Sequence, residues 1–191
     1  MKYVKILGLL AVAAGAIMAF AGNASATSVT STTGGATTTP TIHIVNDNGT
    51  HIVIDNSIKP IECQSTLELK FESHGTGVTA KGNVTTATFF DCTNDWHVTT
   101  MKPGNLELHW TSSHSGTVTS SGWNLTATRS GITCNYETNN TDFGSFTGGN
   151  PATIHVESFI SLAAGSSFLC GSGSAKWVGA YSTTAPLYIE K

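Results

Sequence analysis

The feature that most constrains the fold of this chain is a series of short runs in which apolar and polar residues alternate. Leu67, Leu69 and Phe71 alternate with charged residues, which is the two-residue period of a half-buried β-strand. Glycine- and proline-containing turn signals, such as 102–104 and 148–151, lie between the runs. After the first 26 residues, no stretch of about ten residues has the 3.6-residue apolar period of a helix. The pattern predicts an all-β domain: an antiparallel sandwich, Ig-like or jelly-roll-like, with a partly closed barrel as the alternative.

The strands are expected in the runs 42–45, 50–54, 67–71, 78–90, 106–110, 118–127, 132–136, 153–159, 168–181 and 187–189. The first two runs are predicted to form a hairpin through a three-residue loop at 47–49. This register pairs Ile44 with Ile52 and places four isoleucines on one face of the hairpin.

The N-terminal segment predicts export. Lys2 and Lys5 precede an uncharged apolar stretch over 6–20, and the small residues 24–26 form an A-x-A cleavage site. The apolar stretch is shorter than the roughly 20 residues of a membrane-spanning helix. We therefore predict a signal peptide over 1–26, a flexible Thr/Ser-rich leader over 27–40, and a single domain over 41–191. The mature chain is expected to have no membrane span and to be secreted, either extracellular or at the cell surface.

The four cysteines predict two disulfides, because an even number in an exported chain is typical of a disulfide framework. They are Cys63, Cys92, Cys134 and Cys170. No C-x-x-C pair is present, which argues against a zinc site. The residues around Cys63 and Cys134 are similar, and each is followed by a Gly-Asn pair and then by a second cysteine. If the two halves are related, Cys63 pairs with Cys92 and Cys134 with Cys170, which is one of three possible connectivities.

Composition and motifs exclude several classes of function. Charged residues are only 11% of the chain and the net charge is −3, so nucleic acid and anionic lipid are poor partners. None of the seven histidines lies in an H-x-x-x-H or H-E-x-x-H arrangement, and no G-x-S-x-G elbow occurs. We therefore expect no metal, no cofactor and no enzymatic activity. A hydrolase with an unrecognised site is the weakest alternative.

The tryptophans carry the main functional hint. Trp110 and Trp177 lie in alternating runs and are expected in the core. Trp96 and Trp123 follow polar turns and are expected to be exposed, which makes them candidate glycan-binding residues, since exposed rings can stack on sugars. The sequence thus predicts a secreted protein with a structural or interaction role, whose partner is cell-envelope polysaccharide or a second copy of itself. A carbohydrate-binding module that uses Trp96 and Trp123 is the alternative.

Several short motifs in the chain resemble those of small secreted actinobacterial proteins. They are the N-terminal signal, the two I-x-C starts, Thr-Gly-Gly-Asn-Pro-Ala-Thr at 147–153, Ser-Phe-Leu-Cys at 167–170 and Pro-Leu-Tyr-Ile at 186–189. The resemblance covers most of 62–191. It implies a secreted β-domain with four cysteines. Such proteins have no assigned activity, so the resemblance transfers no catalytic residue.

Overall fold

The computed structural model describes residues 27–31, 41–46, 52–56, 58–72, 79–171 and 173–191. This part of the chain consists of fourteen strands and two 3₁₀ turns, with no α-helix. The strands are β1 (Ser28–Thr30), β2 (Thr41–Asn46), β3 (Ile52–Asp55), β4 (Ile61–Phe71), β5 (Thr79–Phe90), β6 (His97–Lys102), β7 (Asn105–Ser112), β8 (Ser115–Ser121), β9 (Asn124–Arg129), β10 (Ile132–Glu137), β11 (Thr141–Thr147), β12 (Thr153–Leu162), β13 (Ser174–Thr183) and β14 (Tyr188–Glu190). The all-β class and the antiparallel pairing are confirmed. The predicted signal peptide over 1–26 lies outside the described residues.

Eight strand positions close into an antiparallel barrel, the second of the two architectures that the sequence allowed. The order around the ring is β4, β5, β7, β8, β11, β12 and β13, and the eighth position is shared by β2 and β3. β2 and β3 each pair with both β13 and β4, and so close the ring. Closure leaves few unpaired backbone groups at strand edges.

The predicted hairpin of β2 and β3 is wrong. Ile44 pairs with Leu67, and Ile54 pairs with Ile61, so the two short strands lie one after the other along β4. β4 has 11 residues, which is long enough to pair with both. Alternating isoleucines identified the strands but not their partners, because many strands of the ring show a similar inward-facing alternation. The predicted loop at 47–49 lies outside the described residues.

Three further strands form a layer beside the barrel. β10 pairs with the last two residues of β12, β9 pairs with β10, and β6 pairs with β9. Their inward side chains, which include Val98, Leu125 and Tyr136, are buried in the same core as those of the barrel. The layer therefore closes over one side of the barrel where β5 and β12 extend beyond β7 and β11.

The centre of the core is aromatic. The ring centroids of Trp123 and Phe143 lie 5.4 Å and 5.2 Å from that of Trp177, and Phe89 lies 6.1 Å from it. Aromatic pairs at such distances add to the stabilisation that burial gives. In β12, every second residue from Ile154 to Ile160 is buried, so the alternation in the sequence corresponds to an inner and an outer face. The interior is therefore filled by side chains.

The N-terminal strand corrects the prediction of a flexible leader. β1 pairs with β14 in a separate two-stranded sheet, where Val29 faces Ile189 and is fully buried. The flexible segment predicted over 27–40 is therefore wrong for residues 27–31, and the rest of that segment lies outside the described residues. The composition of this segment did not predict β1 because its partner strand is distant in sequence and its buried residues include the polar Thr27 and Thr30 beside Val29.

Candidate functional site

Both disulfides lie at one end of the molecule. Cys63 is bonded to Cys92 and Cys134 to Cys170, which confirms the predicted connectivity. Antiparallel pairing places the end of each strand beside the start of its neighbour. The end that contains both bonds is therefore formed by the last residues of β3, β5, β9 and β12 and the first residues of β4, β6, β10 and β13. We call it the disulfide end.

Exposed apolar side chains are concentrated at the disulfide end. Phe90 is 39% exposed, Phe159 64%, Phe168 88% and Leu169 44%. The other exposed large apolar side chains in the described part of the chain are Met101, at the far end of β6, and Val178, which is diagonally across from Phe159 on β13. Clustered apolar exposure on a folded domain is typical of an interaction site.

The turn that carries Phe168 and Leu169 is fixed to the edge of β10. The N–H of Ala163 donates to the carbonyl oxygen of Asn135 at 2.8 Å, and the N–H of Ser167 donates to that of Thr133 at 2.7 Å. The hydroxyl of Ser167 accepts from the N–H of Leu169 at 3.3 Å, and so caps the 3₁₀ turn Phe168–Cys170. With Cys170 bonded to Cys134, the turn is held at both ends and presents the Phe168 ring to solvent. The strand predicted over 168–181 begins only at Ser174.

A groove lies between the end of β5 and the start of β6. Its volume is about 360 Å³. Its lining combines apolar and titratable side chains: Phe89, Phe90, Asp91, Cys92, Asp95, Trp96, His97, Val98 and Thr99. Asp91, Asn94 and Asp95 have positive φ angles of 49°, 56° and 59°, a region that Asn and Asp tolerate better than most residues. These residues turn the chain sharply out of β5, which places the two carboxylates around the groove.

The groove opens where two strands run side by side without a hydrogen-bonded ladder. β5 pairs with β7 only over Thr79 to Asn83, so the rest of that edge faces β6. Two hydrogen bonds connect this edge of β5 to β6 and to the loop after it. The hydroxyl of Thr100 donates to the carbonyl oxygen of Ala87 at 3.0 Å, and the N–H of Val84 donates to the carbonyl oxygen of Gly104 at 2.9 Å. Strand edges that are not fully paired can accept further hydrogen bonds from a partner.

The predicted exposure of Trp96 and Trp123 is wrong. Each is 1% exposed, so neither ring can serve as a platform for stacking on a sugar. Trp123 packs in the aromatic centre, and the guanidinium carbon of Arg129 lies 5.9 Å from the ring centroid of Trp96. The polar residues before each tryptophan form turns, but the indole rings fold inward. Trp177 is in the core as expected, whereas Trp110 is half-buried, with the amino group of Lys191 5.8 Å from its ring centroid.

A second polar cluster surrounds His109 on the outer face of β5, β7 and β8. Nδ1 of His109 lies 3.1 Å from the hydroxyl of Thr79, and Nε2 lies 3.0 Å from that of Thr119. The carboxylate of Glu107 is 3.9 Å from Nε2, the same nitrogen that Thr119 contacts. A catalytic triad needs a carboxylate hydrogen-bonded to one ring nitrogen and a hydroxyl on the other. At 3.9 Å, Glu107 is beyond hydrogen-bond distance from Nε2, and Thr119 already occupies that nitrogen. The cluster is therefore arranged as a surface hydrogen-bond network.

The turn, the groove and the His109 cluster are interpreted from their geometry, because no known protein is similar enough to guide the interpretation. Among the described residues, no three His, Cys, Asp or Glu side chains are grouped so that they could hold a metal ion. No helix in the described part of the chain is long and apolar enough to cross a membrane. The chain has no significant match to a family model, to a curated protein or to a solved structure.

Proposed function

We propose that the protein is an exported, non-catalytic interaction domain that acts at the cell surface or outside the cell. Its contact surface is the disulfide end, and its partner is a component of the cell envelope of the producing cells. Two disulfides support this location, because such bonds persist mainly in oxidising compartments.

The observation that carries the proposal is the presentation of Phe168. A phenylalanine that is 88% exposed gains nothing from burial in the folded chain, yet its turn is fixed by a disulfide and by hydrogen bonds to β10. Fixing the backbone that carries a side chain before it binds reduces the entropy lost on association. Aromatic side chains that enter a pocket of the partner commonly dominate the binding energy of an interface. Phe168 and Leu169 are therefore the expected anchors.

The packed interior of the barrel also supports recognition at the outer surface. Three aromatic rings fill its centre, and Trp123 and Trp177 are at most 1% exposed. A ligand inside the barrel would have to displace these rings, which is costly in a close-packed core.

The proposal is tested by retention of disulfide-intact residues 27–191 on cell walls and insoluble polysaccharide of the producing cells. We expect the double variant Phe168→Ser/Leu169→Ser to be retained about tenfold less than the unaltered protein, because both anchors are lost. Met101→Ser is the matched control, since Met101 is 65% exposed but lies at the opposite end of β6. If the double variant is retained as well as the unaltered protein, the disulfide end is not the contact surface.

Two further readouts complete the test. If the unaltered protein is not retained at all, an envelope partner is contradicted, and sizing of the free protein then tests self-association. Mass spectrometry of protein recovered from the medium and cell surface tests export, and we expect its N-terminus at Thr27. A protein that still carries 1–26 would contradict cleavage.

A further inference from the structure

We infer that the groove between β5 and β6 binds a neutral saccharide. The inference rests on the proposed function, because it names the chemical class of the envelope partner. The groove volume of about 360 Å³ lies at the lower end of the range of small-molecule sites, roughly 300–1,000 Å³. A site of this size accommodates a short sugar segment better than a protein surface.

The lining of the groove has the two kinds of group that recognise sugars. The ring of Phe90 is partly exposed and can pack on the C–H face of a pyranose. The carboxylates of Asp91 and Asp95 have no hydrogen-bond or ion-pair partner within the described residues, so their oxygens are available to accept from sugar hydroxyl groups. Hydrogen bonds to an ionised acceptor are stronger than those between neutral groups.

Trp96 adds a buried donor beneath the groove. It lines the groove, it is 1% exposed, and its indole N–H has no hydrogen-bond partner in the part of the chain that the structure describes. A buried donor without a partner costs about 1–3 kcal/mol, so such groups call for an explanation. In the same part of the chain, Trp123 and Trp177 have the same unpartnered indole N–H. Because the nitrogen of Trp96 has almost no accessible surface, a sugar oxygen accepts this bond only if the ring moves toward the groove. Trp96 would then act through its N–H edge and not through its ring face.

The charges around the groove oppose an acidic ligand, and its mixed hydrogen-bonding groups favour a hydroxylated neutral ligand. Asp91 and Asp95 would repel an acidic polysaccharide, since like charges at short range oppose binding. The guanidinium group of Arg129 already lies over the ring of Trp96, so a cationic ligand could not use that ring face. The side chains of His97 and Thr99 add further hydrogen-bonding groups. Mixed donors and acceptors are suited to hydroxyl groups, which both donate and accept.

The inference is tested by amide chemical-shift titration of disulfide-intact residues 27–191 with neutral disaccharides and trisaccharides of glucose, galactose, mannose, arabinose and N-acetylglucosamine. We expect one class of sugar to shift residues 89–99 selectively. Phe90→Ala and Asp91→Asn should each weaken that binding about tenfold or more, because one removes the stacking face and the other a charged acceptor. Phe159→Ala is the matched control, an exposed phenylalanine at the same end that is not part of the groove.

Three results would overturn the inference. They are the absence of sugar-dependent shifts at 89–99, unchanged binding by Phe90→Ala and Asp91→Asn, and shifts produced only by oligolysine or by a uronic-acid oligomer. Near-ultraviolet circular dichroism and thiol titration establish that each variant is folded and oxidised. Retention on cell walls that depends on Phe168 and Leu169, without any sugar shift, rejects the saccharide and keeps the proposed function. Sugar binding without wall retention rejects the envelope partner.

Discussion

At the scale of single residues, burial controls the chemistry of two tyrosines. Tyr136 and Tyr181 are each 1% exposed, and burial raises the pKa of both phenol groups, that of Tyr136 from 10.0 to about 12. Removal from water disfavours the charged phenolate. The hydroxyl of Ser65 donates to that of Tyr181 at 3.1 Å, but burial has the larger effect on the pKa of Tyr181.

These raised pKa values predict a loss of stability in alkaline solution. Above pH 10 the unfolded chain releases the phenol protons while the folded chain keeps them, so the free energy of unfolding falls as the pH rises. Below pH 10 neither state is ionised and the two groups cause no slope. The expected slope is up to about 1.4 kcal/mol per pH unit for each group, until its folded pKa is passed.

Urea unfolding of Tyr136→Phe and of the unaltered protein at about pH 9 and about pH 11 measures this slope. The variant should lose less stability between the two pH values, because one of the two groups is gone. Thiol titration confirms that the disulfides survive the alkaline solution. Identical losses in the two proteins would show that Tyr136 ionises as readily in the folded chain as in the unfolded one.

The tryptophans show what sequence could and could not predict about single residues. Trp177 was placed correctly because its neighbours form a strand, and the alternation fixes its face. Trp96 and Trp123 stand just after turns, where alternation carries no information and polar neighbours suggest exposure. Their burial depends on contacts with Arg129 and Phe143, which are distant in sequence.

At the scale of elements, the turn over 163–171 depends on its disulfide. It contributes little to the core, since Cys170 is the only buried residue of its 3₁₀ turn. Its position is fixed by backbone bonds to β10 and by the link between Cys134 and Cys170. The sequence missed Phe168 and Leu169 as surface residues because an apolar pair beside a cysteine is also typical of a buried strand. Ser166 accepts a hydrogen bond from the N–H of Asn135, and Ser167 caps the turn. These two serines were the sequence signal that could have indicated a turn instead of a strand.

Removal of this disulfide tests the rigidity of the turn. We expect Cys134→Ser/Cys170→Ser to lower the free energy of unfolding by about 3–4 kcal/mol, because the bond closes a loop with a sequence separation of 36. Hydrogen exchange should accelerate over 163–171 even where the rest of the barrel remains protected. Cys63→Ser/Cys92→Ser is the matched control, because it removes a bond with a similar sequence separation of 29. In this control, exchange should accelerate around the loop before β6. Unchanged exchange over 163–171 would show that β10 alone holds the turn.

At the scale of the whole molecule, the alternation of residues predicted the class of fold and most of its strands, but not the closure of the ring. Closure depends on β13, which pairs with β12 on one edge and with both β2 and β3 on the other. Partners so far apart in sequence leave no local signal. The separate sheet of β1 and β14 was missed for the same reason.

The sheet of β1 and β14 predicts that the segment just after the expected cleavage site stabilises the domain. Val29→Asp should lower the free energy of unfolding by several kcal/mol, because it places a charge where Val29 is fully buried. Ser31→Asp introduces the same charge at an exposed neighbouring position and should cost less than about 0.5 kcal/mol. Both are measured by urea unfolding with the disulfides intact. Equal stability of the two variants would mean that β1 does not hold its place in solution.

The pairing of β1 with β14 also affects the order of events in folding. The first described strand has its partner at Tyr188–Glu190, near the other end of the chain, and contacts between such distant segments form slowly. A chain that emerges from the N-terminus onwards cannot close the ring until β13 has been made, or complete this sheet until β14 has been made. We therefore expect the growing polypeptide to stay incompletely folded until β14 has been made, which is the state that a narrow translocation channel would require for the proposed export.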